Sequence, residues 1–351
     1  MPTYGSSAPQ QLTINYDALL ATSLFNYRPT LVDNISNGSP FFFEMKQRMR
    51  GEDGGLAIQE TLMYTLGDVD TYSGYDELGS APTDGITSAF FDWSQAAAPV
   101  SISGKEEKQN KHRIVKLVEA KIKQAELGFQ EFYNKYFLQG NISQVGGALY
   151  TPFVSTKNGS LFVDPLPKLV DFDPTASRSV GGINQNTYSW WRNKTATSAA
   201  STNAAFMKEL DSLFNDCSIG PYGKPNFIIC DKITWEVWRA AYYAVYRRVA
   251  DSADDYPFPN FYFNGVKVLW DQYVPDAYTG VASTATYGTV YMLNLNTMNF
   301  VYEEATNFVS TPFVKPPLQD AKISHIMWMG AVTCNNRRKN GVLGKVARSL
   351  S

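Results

Sequence analysis

The sequence predicts an α+β fold in which strands from distant parts of the chain gather around one long helix. Three observations carry that expectation. Apolar residues Ile114, Val118, Ile122, Ala125, Phe129, Phe132 and Tyr136 recur at three- and four-residue steps across residues 103–139, the period of an amphipathic helix. Short runs of strand character are scattered at 57–64, 87–93, 226–230, 266–270, 290–293 and 323–332, separated by turn residues. A turn-rich stretch holding Gly67, Gly74, Gly79, Pro82 and Gly85 divides the first two of these strands, so they are read as a long two-stranded excursion.

At 351 residues and 39.2 kDa the chain exceeds what one compact core usually needs, so two or so substructures are expected. Lys and Arg total 31 against 33 acids, a net charge of -2. That balance argues against a surface built to hold nucleic acid by counterion release. Charged residues are 18% and aromatics 14%, a bias shared by extensive protein–protein interfaces and by large aromatic cores. Three cysteines, Cys217, Cys230 and Cys334, make neither a disulfide framework nor a zinc spacing. No apolar run reaches the length of a membrane span, and the first residues lack the pattern of a signal peptide. A soluble, cytosolically made product without membrane association is expected.

Residues 1–50 read as an extended arm with one short helix around Leu31, Val32 and Ile35, a break at Asn37-Gly38-Ser39-Pro40, and a basic end at Lys46, Arg48 and Arg50. Residues 51–104 contain nine acids (Glu52, Asp53, Glu60, Asp68, Asp70, Asp76, Glu77, Asp84, Asp92) and no Lys or Arg. A two-stranded ribbon is marginal alone in water, so this one must lie on something, and another copy of the chain is one candidate. Ser103-Gly104-Lys105-Glu106 is a capping box opening the long helix, and Gly140 is its stop. Residues 141–225 are rich in loops, with the aromatic segment Tyr188–Asn193 and a helix over Asn203–Cys217 that presents Phe206, Leu210, Leu213 and Phe214 on one face. Asn226–Cys230 reads as a buried strand, and Asp231 as the N-cap of a helix through Trp235, Trp238 and Tyr242. The chain closes on a segment with Arg337, Arg338, Lys339, Lys345 and Arg348 and no acid, read as a basic tail.

Chemistry is not visible in this pattern. Phosphate-binding glycine loops, HExxH and GxSxG are missing. Asp68–Gly74 starts like a calcium loop, but glycine falls at its seventh position and Gly79 stands where the closing Glu is needed. The two histidines, His112 on a charged helical face and His325 in an apolar run, suit a surface and a core role. The adjacent carboxylates Asp254/Asp255 and Glu303/Glu304 do not face one another. Trp190 and Trp191 suit packing or a subunit contact better than a sugar or base platform. No enzyme activity, metal or cofactor is expected.

With the segments in this order, the chain from about Leu31 to Val342 resembles the major capsid proteins of tailed double-stranded DNA bacteriophages, the Hong Kong 97-type fold. The similar stretches are Thr30–Ile35, Tyr72–Asp76, Asp84–Thr87, Val100–Gly104, Gly181–Ile183 with Trp190–Asn193, and Thr311–Pro317. The resemblance implies an N-terminal arm (1–50), a two-stranded E-loop (51–102), a discontinuous peripheral domain with a long spine helix (103–140 and 296–330), an axial α/β domain (141–295), and a C-terminal strand with a basic tail (331–351). It implies a structural protein that assembles as pentamers and hexamers into the icosahedral head around double-stranded DNA, which it meets only by weak non-specific proximity. The implied partners are itself, a portal, and separate scaffolding or decoration proteins, and the location is the virion capsid, assembled in the host cytoplasm. An encapsulin-like nanocompartment shell is the alternative within this fold, and an aromatic-rich binding protein the alternative outside it.

Some members weld their shells through an E-loop lysine, and residues 51–104 have none. About thirty residues precede the first similar stretch, so neither a maturation cleavage nor a built-in scaffolding region is expected. The acidic ribbon is expected to rest on basic ground of an adjacent copy. The candidate inter-subunit contacts are Asp68, Asp70, Asp76 and Glu77 against Lys46, Arg48 and Arg50 or Lys105, Lys108 and Lys111, with Trp190 and Trp191 as further contacts.

Overall fold

The structure, a computed structural model, describes residues 40–75, 84–109, 117–141, 149–220, 223–245, 261–278 and 287–350. In chain order, the first half contains helix α1 (Pro40–Lys46), strands β1 (Met49–Glu52), β2 (Ile58–Met63), β3 (Ile86–Phe91) and β4 (Ser94–Ser103), and helices α2 (Gly104–Gln109) and α3 (Leu117–Gln139). There follow a short helix α4 (Leu166–Leu169), the two-residue strands β5 (Ser179–Val180) and β6 (Ile183–Asn184), β7 (Lys194–Thr197) and α5 (Asn203–Cys217). The remainder holds β8 (Phe227–Cys230), α6 (Lys232–Val245), β9 (Phe261–Phe263), β10 (Val266–Trp270), β11 (Gly288–Leu293), β12 (Met298–Ser310), β13 (Ala321–Cys334) and β14 (Gly341–Val346).

Two compact units share the chain: one from Ala97–Phe129 and Ser310–Ile326 among the described residues, the other from Asn37–Ala96, Gln130–Val309 and Met327–Ser351. In the smaller unit the predicted capping box is present at the start of α2. The Ser103 N–H donates to the Glu106 carboxylate at 3.0 Å and the Lys105 N–H donates to Ser103 Oγ at 3.3 Å. Lys121 of α3 pairs with Glu106 and also donates to the Ser101 carbonyl. Lys322 pairs with Glu107 at 2.7 Å, and Lys315 with Asp320 at 2.9 Å. The Lys315 hydrogen bond and charge hold the Asp320 carboxyl below its ordinary value, with Lys108 adding to the field.

The larger unit has a six-stranded sheet in the order β7-β14-β11-β8-β10-β9. Strands β8 and β11 are buried along their whole length, which is why they read as continuous apolar runs. Helix α5 buries the predicted residues Phe206, Leu210, Leu213 and Phe214 in the same cluster as Trp235 and Trp238 of α6. Asp231 caps α6 as expected: its Oδ2 accepts the Thr234 N–H, and its carbonyl starts the helical ladder at Trp235. Asp231 also pairs with Arg348 and accepts the Thr289 N–H, so the last residues of the chain are tied to this cap.

The second core of this unit is aromatic. Tyr133 of α3 packs edge-on against Phe162, Phe300 and Trp328 at 4.8–5.3 Å, and Phe41 stacks on Phe137 at 5.0 Å. Helix α3 stops at Gly140, whose φ of +67° and the Thr151 carbonyl 2.7 Å from any added Cβ both demand glycine.

Several expectations are corrected. The end of the predicted arm is not extended. Pro40 opens α1, a position that suits its fixed φ, and the helix buries Phe41, Phe42 and Met45. Strand β1 then runs parallel to β12 from Met49↔Phe300 to Glu52↔Glu303, in a sheet of order β1-β12-β13-β4. The expected short helix around Leu31–Ile35, and residues 110–116 of the predicted long helix, lie outside the described residues. The C-terminal segment is not a solvated tail. Strand β14 lies inside the six-stranded sheet, parallel to β7 and antiparallel to β11, and Arg337 is completely buried.

Candidate functional site

The ribbon formed by β2 and β3 is the candidate site. Its register pairs Ile58 with Phe91, Glu60 with Ala89 and Leu62 with Thr87 on one face, and Gln59 with Phe90, Thr61 with Ser88 and Met63 with Ile86 on the other. The first face is inward: Ile58, Leu62, Ala89 and Phe91 are buried. Glu60 Oε1 accepts from Thr333 Oγ1 at 2.7 Å and from Asn299 Nδ2 at 3.2 Å. The Phe90 N–H donates to the Gly181 carbonyl at 3.0 Å. Gly181, at φ +59°, leaves only 2.8 Å between an added Cβ and the Ala89 methyl, so the β5–β6 turn sits directly against the ribbon.

The second face has no such cover among the described residues. Phe90, Ile86 and Met63 are exposed at 54%, 67% and 74%. Past Tyr64 every described residue from Thr65 to Tyr75 is exposed, including Leu66, Val69, Tyr72 and Tyr75. A chain of this size does not ordinarily leave a contiguous row of large apolar side chains in water without a partner. Exposed acids Asp68, Asp70 and Asp84 lie along the same stretch. The strand character of both segments was readable in the sequence; the outward apolar set was not, because single exposed apolar residues are ordinary.

The other predicted site residues fall in different surroundings. Lys46, Lys105 and Lys108 are exposed. Arg48 donates to Asn296 Oδ1 at 3.0 Å and Arg50 lies 3.4 Å from Glu52, so both already have partners in their own chain. Asp76, Glu77 and Lys111 lie outside the described residues. Trp190 is half-buried and stacks on Tyr64 at 5.1 Å, with Tyr188 beside it at 5.9 Å. Trp191 is corrected from a candidate subunit contact to a core residue: it is 2% exposed, and its indole N–H donates to the Val180 carbonyl at 3.0 Å.

A buried polar node was missed altogether. Arg337 donates to the carbonyls of Leu169, Trp191 and Lys168 at 2.7–3.3 Å, and to the side-chain oxygens of Gln185 and Asn193. Five acceptors replace the water that its guanidinium loses, while desolvation pushes its pKa down to about 10. Asp171, also fully buried, accepts from Gln185 Nε2 and pairs with Arg178. The node joins α4, the β5–β6 turn, the 188–193 segment and the C-terminal residues into one block behind the ribbon. Groups of three or more His, Cys, Asp or Glu arranged to hold a metal ion are absent among the described residues, and no described helix is long and apolar enough to cross a membrane.

No family model matches the sequence, and no curated protein matches it. Solved structures do match the fold. The capsid of cyanophage A-1(L) aligns with 90% of this chain and 96% of its own at 13% identity, TM-score 0.60. The SrpI encapsulin of Synechococcus elongatus aligns over 94% and 95% at 8% identity, TM-score 0.56. A structure of Mycobacterium phage Che8 aligns over 91% and 96% at 9% identity, TM-score 0.54. The chain therefore has the mixed α/β fold seen in phage capsids and in an encapsulin, spanning nearly the full length of each.

Proposed function

We propose that this chain is the major capsid protein of a tailed double-stranded DNA phage, a structural subunit that assembles as pentamers and hexamers into the icosahedral head. The observation that carries the reading is the ribbon whose outward apolar face is exposed among the described residues, on a fold shared with capsids along nearly the whole chain. In this reading residues 51–102 are the E-loop, α2 and α3 belong to the spine of a discontinuous peripheral domain (103–140 and 296–330), and 141–295 is the axial domain. The apolar face is covered by a second copy, and burial of Met63, Ile86, Phe90, Leu66 and Val69 supplies the main drive for association. The location is the virion, with portal and separate scaffolding or decoration proteins as further partners.

Charge sets the register of that contact. Asp68, Asp70, Asp76 and Glu77 face Lys46, Lys105, Lys108 and Lys111 of the adjacent copy; the commitment of Arg48 and Arg50 to their own chain makes the lysines the better ground. Each exposed pair contributes at most about 1 kcal/mol and is screened by salt, so the effect is on selectivity and rate. Reversal of Lys108 and Lys111 to Glu is expected to slow assembly and weaken its salt dependence. Indifference of assembly to both reversal and salt refutes this contact.

The full chain expressed alone, viewed by negative-stain microscopy with light scattering, tests the main reading. Closed shells or fragments built of five- and six-fold rings support it. A small oligomer in every buffer, persisting when neighbouring phage proteins are co-expressed, overturns it. The encapsulin match favours a second reading, a nanocompartment around a protein cargo. Packaged DNA behind a portal vertex decides for the phage head, and an enzyme bound to the inner wall for the nanocompartment.

A further inference from the structure

The ribbon makes an aromatic contact where its pairing ends. Its ladder ends at Met63↔Ile86, closed by the Tyr64 N–H donating to the Gly85 carbonyl at 2.9 Å. At that point the Tyr64 ring lies on Trp190, 5.1 Å between centroids and 22° between planes. Thr65 and every described residue after it up to Tyr75 is exposed. The change is abrupt: Leu62 is buried, Tyr64 and Trp190 are half-buried, and Leu66 is 80% exposed.

Trp190 is itself held from behind. It sits in a single 3-10 turn, Ser189–Trp191, whose Trp191 is fixed by the Val180 carbonyl and whose backbone carbonyl accepts from buried Arg337. Arg192, the next residue, donates to the carbonyls of Gln185 and Asn186. The support is stiff, whereas every described ribbon residue beyond it, from Thr65 to Tyr75, is exposed.

We infer that the Tyr64–Trp190 stack is the fulcrum of the ribbon, and that Trp190 is a positioning residue which sets the direction in which the segment beyond Thr65 projects toward a second copy. The inward bonds of Glu60 and Phe90 hold the root, but they lie three and four residue pairs behind the last pair of the ladder, Met63↔Ile86. A stacked pair of rings resists tilting about the strand axis in a way that a lone backbone bond does not, because offset stacking has a preferred plane. This inference rests on the assembly reading for its consequence, though not for the contact itself.

Hydrogen exchange read by mass spectrometry on the unassembled full chain tests the contact, and microscopy of its assemblies tests the consequence. Trp190→Ala is expected to speed exchange across 58–64 and 85–91 about tenfold, while exchange in the six-stranded sheet stays as in the parent. Trp190→Phe, which can still stack, is expected to restore the slow exchange. Assemblies of Trp190→Ala are expected to vary in curvature, and those of Trp190→Phe to match the parent. If Trp190→Ala does not fold, Tyr64→Ala removes the same stack from the ribbon side. Ribbon exchange unchanged by loss of either ring overturns the inference, as does a rise spread evenly over the whole chain. A parent chain that forms no shell, with ribbon exchange still responding to Trp190, refutes the assembly reading and leaves the fulcrum standing.

Discussion

Replacing Asp271 by asparagine is expected to stabilise the protein at neutral pH. Asp271 follows β10 and is fully buried. Its Oδ1 accepts the Tyr273 N–H and its Oδ2 accepts from Asn134 Nδ2, both at 2.9 Å. Burial pushes its carboxyl up from 3.8 to about 6; the two hydrogen bonds oppose the shift without cancelling it, and no cation contributes. Between about pH 4 and pH 6 the folded chain keeps a proton that the unfolded chain has released, so stability falls as pH rises through that window. Above it the cost of holding the buried charge is fully present, about 3 kcal/mol from the distance between the two values. Asparagine removes the charge and keeps an acceptor for Tyr273. Its new amide nitrogen obliges Asn134 to turn over, so that Asn134 Oδ1, which has no hydrogen-bond partner among the described residues, accepts from it. That rearrangement costs about 1 kcal/mol. Urea unfolding of the unassembled chain, followed by tryptophan fluorescence, should show Asp271→Asn more stable by about 2 kcal/mol at pH 7.5 and less stable by about 1 kcal/mol near pH 4. A difference between the two proteins that is constant across this range would refute the reasoning, because it would mean that Asp271 has the same proton affinity folded and unfolded.

Other substitutions follow from the same packing. Arg337→Lys keeps the charge but cannot reach five acceptors with one ammonium, and should destabilise by about 3 kcal/mol in thermal or chemical unfolding. Gly181→Ala forces a side chain into a left-handed φ against the Ala89 methyl; a loss of about 1–3 kcal/mol is expected, with faster exchange at the Phe90 amide. Burial raises the thiols of Cys217 and Cys334 to about 12 and about 11, and that of Cys230 upward as well. All three should therefore resist an aromatic disulfide reagent at pH 8 in the native chain and react fully in urea.

What could be read from the sequence was whatever depends on neighbours a few residues away. The stripe through Phe129, the capping box at Ser103, the stop at Gly140, the cap at Asp231 and the two strands of the ribbon all express local backbone chemistry, and each lies where that chemistry put it. The buried strand at Phe227 and the apolar face of α5 were legible for the same reason. Tertiary structure decided everything that depends on a partner far along the chain. Phe41 and Phe42 look like part of an extended arm until Tyr133 and Phe137 are brought beside them. Arg337 looks like one cation of a basic tail until three carbonyls and two amide side chains, more than a hundred residues away, surround it. The two neighbouring tryptophans look alike in the chain. Only folding sends Trp191 into the core and leaves Trp190 under Tyr64. Desolvation is the physical reason: a charge or a ring has its character set by what replaces its water, and that is known only when distant segments meet.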